Sequence, residues 1–93
     1  MGEAVIERIK EVKLLPGYLR ALLYLYLKYK ETGNTRLELP KRFKKKQYPF
    51  NWNDFYRLEA EGLVVIVRGI RTQWVELLEE GIEEVEKLRR LIA

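Results

Sequence analysis

Apolar residues recur along this chain with two different periods, and each change of period marks a new element. Residues 3 to 14 place Val5, Ile6, Ile9 and Val12 at helical spacing. Pro16-Gly17 interrupts that pattern, and a proline suits the first turn of a new helix. Residues 17 to 31 are rich in Leu and Tyr, with Leu19, Leu22, Leu23, Tyr26 and Leu27 expected on one face and Ala21, Tyr24 and Leu25 beside it. A helix this apolar is expected to be the central buried one. Thr32-Gly33-Asn34 ends it. Thr35 to Leu39 alternates as a short strand does. Pro40 is expected to open a short helix over Lys41 to Gln47. Tyr48-Pro49-Phe50 is then a turn, because the residue before a proline avoids helical dihedrals. Asn51 or Asn53 is the expected N-cap of a helix through Glu61, with Trp52, Phe55 and Leu58 inward and Gly62 as its stop. Leu63 to Val67 is a β-branched run, Gly69-Ile70 a tight turn, and Thr72 to Leu77 the returning strand. Gly81 to Ile92 is a closing helix with Ile82, Val85, Leu88 and Leu91 or Ile92 on one side.

The predicted order is helix, helix, short strand, helix, helix, strand, strand, helix, without repeats, low-complexity tracts or linkers. Ninety-three residues make one domain and leave no room for a second core. The fold class is α+β and helix-rich, and this order fits a winged helix-turn-helix.

Composition narrows the chemistry. Cys, His and Ser are absent, which removes Ser/His and Cys/His nucleophiles, disulfide frameworks and zinc sites of Cys/His type. No Gly-rich phosphate loop or metal-ligand spacing occurs, so no catalytic residue, metal or cofactor is expected and the protein is not read as an enzyme. Glu79, Glu80, Glu83 and Glu84 read as an ordinary acidic helix face. The longest apolar run, Ala21 to Leu27, is ended by Lys28 and falls far short of a membrane span. The N-terminus is charged from Glu3 and unlike a signal peptide. A soluble, cytoplasmic, nucleoid-associated protein is expected. Asp54 is the single aspartate among 32 charged residues, a Lys/Glu/Arg bias that hints at a thermophilic source.

Two stretches carry a family resemblance. Leu58-Glu59-Ala60-Glu61-Gly62-Leu63-Val64 resembles the end of a recognition helix entering the first wing strand of winged-helix regulators of the MarR and PadR type. Val75-Glu76-Leu77-Leu78-Glu79-Glu80-Gly81 is similar to their second wing strand leading into the last helix. The resemblance spans roughly residues 17 to 92. It departs from the family at Leu78, where those proteins usually carry a capping Thr, and in a short wing with only Arg68 to Arg71 at its tip. It implies N-terminal helices over 1–31, a helix-turn-helix over 35–62, a two-stranded wing over 63–77 and a C-terminal helix over 79–93. Archaeal plasmid-partition proteins of winged-helix type resemble the same layout.

The net charge of +4 is unevenly placed. From Arg36 to Arg57 seven basic residues face two acidic ones, a local +5, whereas Val75 to Ala93 carries a local −3. A basic end of this kind is an electrostatic footprint for a polyanion. Arg36, Lys41, Arg42, Lys44, Lys45 and Lys46, with Gln47 and Tyr48 at the turn, are the candidate phosphate contacts, which position a protein on DNA without reading sequence. Asn51, Asn53, Tyr56 and Arg57 are the candidates for base readout, since Asn can bond adenine and Arg guanine bidentately. Helix capping is the competing role for the asparagines. Arg68 and Arg71 on the wing are candidates for a flanking minor groove.

Trp52, Phe55 and Trp74 are expected in the core. Tyr18, Tyr24, Tyr26 and Tyr29 spread around one helix, so some are expected to face a partner subunit. A homodimer through residues 3 to 29 and 82 to 92 would set two recognition helices about one DNA turn apart. The leading expectation is thus a sequence-specific double-stranded-DNA-binding homodimer, most simply a small transcriptional regulator. The alternatives are a DNA-segregation or architectural protein that spreads along DNA as a higher-order assembly, and a protein-interaction module.

Overall fold

The computed structural model describes residues 15–43 and 48–92, with side chains to Arg90. The helix expected over residues 3 to 14, the run Lys44–Gln47 and the side chains of Leu91 and Ile92 lie outside the described residues.

The first helix, α1 (Gly17–Thr32), begins where Pro16 leaves extended backbone and its carbonyl accepts the Leu19 and Arg20 amides at 3.0 and 3.2 Å. It stops at Gly33, whose φ of 75° is left-handed and whose N–H closes on the Tyr29 carbonyl at 2.7 Å. Strand β1 (Arg36–Pro40) follows. Helix α2 (Trp52–Ala60) is opened by a capping box: Asn51 Oδ1 accepts the Asp54 amide at 3.3 Å, and Asp54 Oδ2 accepts the Asn51 amide at 2.8 Å. It ends in the paired Leu63-to-Leu58 and Gly62-to-Glu59 bonds of a Schellman motif, around Gly62 at φ 76°. Strands β2 (Val64–Arg68) and β3 (Thr72–Leu77) form the hairpin, and α3 (Glu79–Ile92) completes the described chain.

All three strands join one antiparallel sheet in the order β1-β3-β2. Its register sets Arg36 opposite Glu76 and Leu39 opposite Gln73 on one side of β3, and Val65 opposite Glu76 and Val67 opposite Trp74 on the other. Alternation then gives the sheet two faces. Leu39, Val64, Ile66, Gln73, Val75 and Leu77 are buried under the helices. Arg36, Glu38, Val65, Val67, Trp74 and Glu76 fall on the outer face. Phe55, Leu22, Leu58, Val64, Val75 and Val85 are the largest fully buried side chains, so every helix and both hairpin strands contribute to one core.

Several expectations are corrected here. Pro40 ends β1 instead of opening a helix, and Lys41–Phe43 are not helical. An edge strand tolerates proline because the missing N–H faces no partner strand. In α1 the buried face is Ala21, Leu22, Tyr24, Leu25 and Tyr26, with Leu19, Leu23 and Leu27 only half-buried. Tyr24 and Tyr26 are 5% and 2% exposed, so the domain's own residues cover them and no partner subunit is needed for that. Trp52 and Trp74 are half-buried, and of the three aromatics expected in the core only Phe55 is fully enclosed. The hairpin, the Gly62 stop and the Asn51 cap stand as expected.

Candidate nucleic-acid interface

A cluster of rings packs Phe43, Tyr48 and Phe50 against α1 and α2. Phe43 stacks on Trp52 at 5.5 Å and 13°, and packs against Tyr48 at 4.9 Å, Phe50 at 5.9 Å and Phe55 at 6.3 Å. Tyr24 meets Tyr48 edge-on at 5.9 Å and Phe50 at 5.1 Å. Rings in tilted and edge contact add to plain burial. Burial pushes the Tyr24 hydroxyl up to about 12, reinforced by the nearby Tyr48 and Glu31 and by a hydrogen bond with Tyr48. Trp52 Nε1–H donates to the Pro40 carbonyl at 3.0 Å, which ties the end of β1 to the start of α2. Exposed Lys41 and Arg42 therefore emerge beside the first turn of α2.

The outward side of α2 presents Asn53, Tyr56 and Arg57, all exposed. The Arg57 guanidinium lies 3.8 Å over the Tyr18 ring of α1, and its Nε is 3.7 Å from Glu61 Oε1. Tyr56 is 40% exposed, and the Arg68 guanidinium from the hairpin sits 5.6 Å over its ring. The hairpin is fastened to α2 by Glu59, whose Oε2 accepts the Ile66 amide at 2.9 Å on the outer edge of β2. At the hairpin tip Ile70 is 92% exposed and Arg71 is exposed beside it. Gly69 is required there, because a Cβ would lie 2.6 Å from the Thr72 carbonyl oxygen and 2.7 Å from the Trp74 ring. The result is a surface where hydrogen-bonding and cationic groups from α2, the hairpin and the 41–42 segment converge, with two guanidiniums laid over tyrosine rings.

The residues expected to act together divide into four groups. Asn53, Tyr56, Arg57 and Arg68 share this surface, with Lys41, Arg42 and Arg71 at its borders. Asn51 spends its side-chain oxygen on the α2 cap, and Tyr48 is half-buried among the rings. Arg36 is elsewhere: it pairs with Glu76 at 3.7 Å on the outer face of the sheet, where Glu38 also lies. Lys44, Lys45, Lys46 and Gln47 are outside the described residues. Tyr18 and Glu61 join this surface as well: Tyr18 is brought there by the packing of α1 against α2, whereas Glu61 follows from its i,i+4 spacing to Arg57.

A second cationic spot lies between α1 and α3. A depression of about 490 Å³ is lined by Tyr26, Lys30, Glu86, Arg89 and Arg90, with Arg89 Nη1 donating to the Tyr26 hydroxyl at 3.0 Å. It lies toward the other end of α1 from Tyr18, about 12–18 Å away along the helix. Among the described residues no group of three or more Asp or Glu side chains is arranged to hold a metal ion. No described helix is long and apolar enough to cross a membrane. Comparison with protein-family models, with characterised proteins and with solved structures finds no match for this chain.

Proposed function

We propose that this chain is a winged helix-turn-helix protein that binds double-stranded DNA sequence-specifically as a homodimer, most simply as a small transcriptional regulator. The observation that carries the reading is the convergence on one side of α2 of Asn53, Tyr56 and Arg57 with Arg68 from the hairpin. A helix offering amide and guanidinium groups suits base edges in a major groove, where Asn and Arg make the bidentate pairings. The hairpin with Arg68 and Arg71 acts as the wing, and Lys41 and Arg42, which precede the Lys44–Lys46 run in the sequence, extend the cationic rim and supply phosphate contacts. The packing of β2 against α2, fastened by Glu59, supports the reading, because it sets the hairpin beside the helix that it flanks.

The test is selection of bound sequences from random duplex DNA, followed by footprinting across a protein titration. A defined palindromic motif with a fixed footprint is the expected result. A footprint that grows with concentration reassigns the protein to spreading and DNA segregation. Affinity should fall with salt at a slope of about 0.9 per phosphate contacted, and Lys44→Glu with Lys45→Glu should weaken binding on every sequence alike.

A second reading, a protein-interaction module, draws on the outer sheet face, where Val65 and Val67 are 40% and 37% exposed. It predicts no enrichment of any DNA sequence and a shallow salt slope.

A further inference from the structure

Resting on the DNA-binding reading above, we infer that Tyr18 is a specificity-determining positioning residue. It holds the Arg57 guanidinium flat so that its outer edge reads one guanine. The geometry begins with two helix starts in close contact. A Cβ on Gly17 would lie 2.9 Å from Asp54 Oδ1, which shows how closely the first turn of α1 approaches the capping box of α2. That approach sets Tyr18 beside Arg57, one turn further along α2.

Three features distinguish Arg57 from an ordinary surface arginine. Its Cζ is 3.8 Å from the Tyr18 ring centroid, the shortest of the cation–ring distances among the described residues. Glu61 Oε1 is nearest its Nε, at 3.7 Å, and neither Nη makes a hydrogen bond among the described residues. The side chain is nonetheless 58% exposed. A guanidinium supported on one face by a ring, with its Nε side toward Glu61, presents its two Nη groups as a free edge. That edge matches the paired O6 and N7 acceptors of guanine in a major groove. An unsupported arginine loses rotamer freedom when it docks, whereas a stacked one has already lost much of it. Tyr18 touches no base in this arrangement and acts through Arg57 alone. The ring is the stronger support, since a half-exposed ion pair at 3.7 Å contributes little.

The experiment compares wild type, Arg57→Ala, Tyr18→Ala, Tyr18→Leu, Tyr18→Phe and the double variant Tyr18→Leu/Arg57→Ala. Each is titrated on the selected duplex and on duplexes carrying every base at each position. Arg57→Ala identifies the guanine that Arg57 reads. At that position alone, Tyr18→Leu should lower discrimination about two- to fivefold, the range of an exposed cation–π contact. Tyr18→Phe should keep it, and the double variant should lose no more than Arg57→Ala does. Non-specific affinity and salt slope should not move, which separates positioning from a structural role. Tyr18→Leu keeps apolar bulk at this half-buried site should Tyr18→Ala fail to fold. A uniform loss on all sequences, or unchanged preference at the Arg57 position, overturns the inference and leaves the DNA-binding reading intact. A wild type without any sequence preference overturns both.

Discussion

Arg36 and Arg57 are the same residue type, each about half exposed and each 3.7 Å from a glutamate, yet they stand in different settings. Arg36 is on the outer sheet face, with Glu38 on the same strand and Glu76 across from it, so its charge is matched locally. Arg57 lies over a ring on α2, in a surface that also holds the Arg68 guanidinium. The supports of the two faces differ as well. The outer face is carried by the strand ladder, whereas the α2 face is hung on the ring cluster of Tyr24, Phe43, Tyr48, Phe50, Trp52 and Phe55. A local count of basic residues is therefore a poor guide to an interface. What the chain folds beside each cation decides whether its charge is available.

The largest effect that separates the faces is on stability. Phe55 is fully buried and touches Phe43, Phe50 and Trp52, so Phe55→Ala is expected to cost about 3–5 kcal/mol. Trp74 is half-buried on the outer face, and Trp74→Ala should cost less than about 2 kcal/mol. Urea melts of the two variants check this, and equal costs would erase the distinction in support. The ring cluster also sets a pH dependence. The Tyr24 hydroxyl, ordinarily near 10.0, is raised to about 12, so the folded state holds its proton longer than the unfolded chain does. The associated stability is complete below about pH 10 and is lost as pH rises toward about 12. Tyr24→Phe should flatten that part of the alkaline decline in melts on either side of the window.

Next in size is the functional contrast between the two arginines. Under the proposed function, Arg57→Ala should cost about 1–3 kcal/mol of discrimination at one base position. Arg36→Ala should change specific binding by less than about 0.5 kcal/mol, as expected for a surface substitution away from the interface. Binding titrations on the selected duplex and its single-base variants decide the matter. A larger effect at Arg36 would move the interface to the outer face of the sheet.

Much of this architecture is legible in the sequence because local chemistry determines it. Gly33 and Gly62 occupy left-handed positions that a glycine takes without strain, Asn51 and Asp54 have capping-box spacing, and the hairpin has a β-branched run before Gly69-Ile70 and an alternating strand after it. What is not legible depends on partners far apart in the chain. Tyr24 and Tyr26 look like residues that could face a partner until the Tyr48 and Phe50 rings enclose the first and Arg89 supplies a hydrogen bond for the hydroxyl of the second. Pro40 resembles a helix opener until β1 is known to be an edge strand. Arg36 reads as part of the basic run until pairing with β3 turns it to the outer face. For the candidate site, α2 and its exposed residues are visible in the pattern, but the stacking of Arg57 on Tyr18 requires the packing of α1 on α2.

The smallest predicted effect is at the start of α3, which packs chiefly on α1. Leu78 stands at the N-cap position: its carbonyl accepts the Gly81 and Ile82 amides at 3.0 and 3.1 Å, but its side chain has no oxygen to offer. Glu79 and Glu80 in the first turn and Arg89 and Arg90 in the last already follow the helix dipole. The acid-rich half of α3 thus has a local stabilising role, and its negative charge needs no partner to explain it. Leu78→Thr should add a hydroxyl acceptor for a first-turn amide and gain up to about 1 kcal/mol, less whatever contact the half-buried leucine loses. A small rise in melting temperature with unchanged discrimination on duplex DNA is the expected outcome. If discrimination changes as well, α3 is coupled to the α2 face, and the two regions do not act independently.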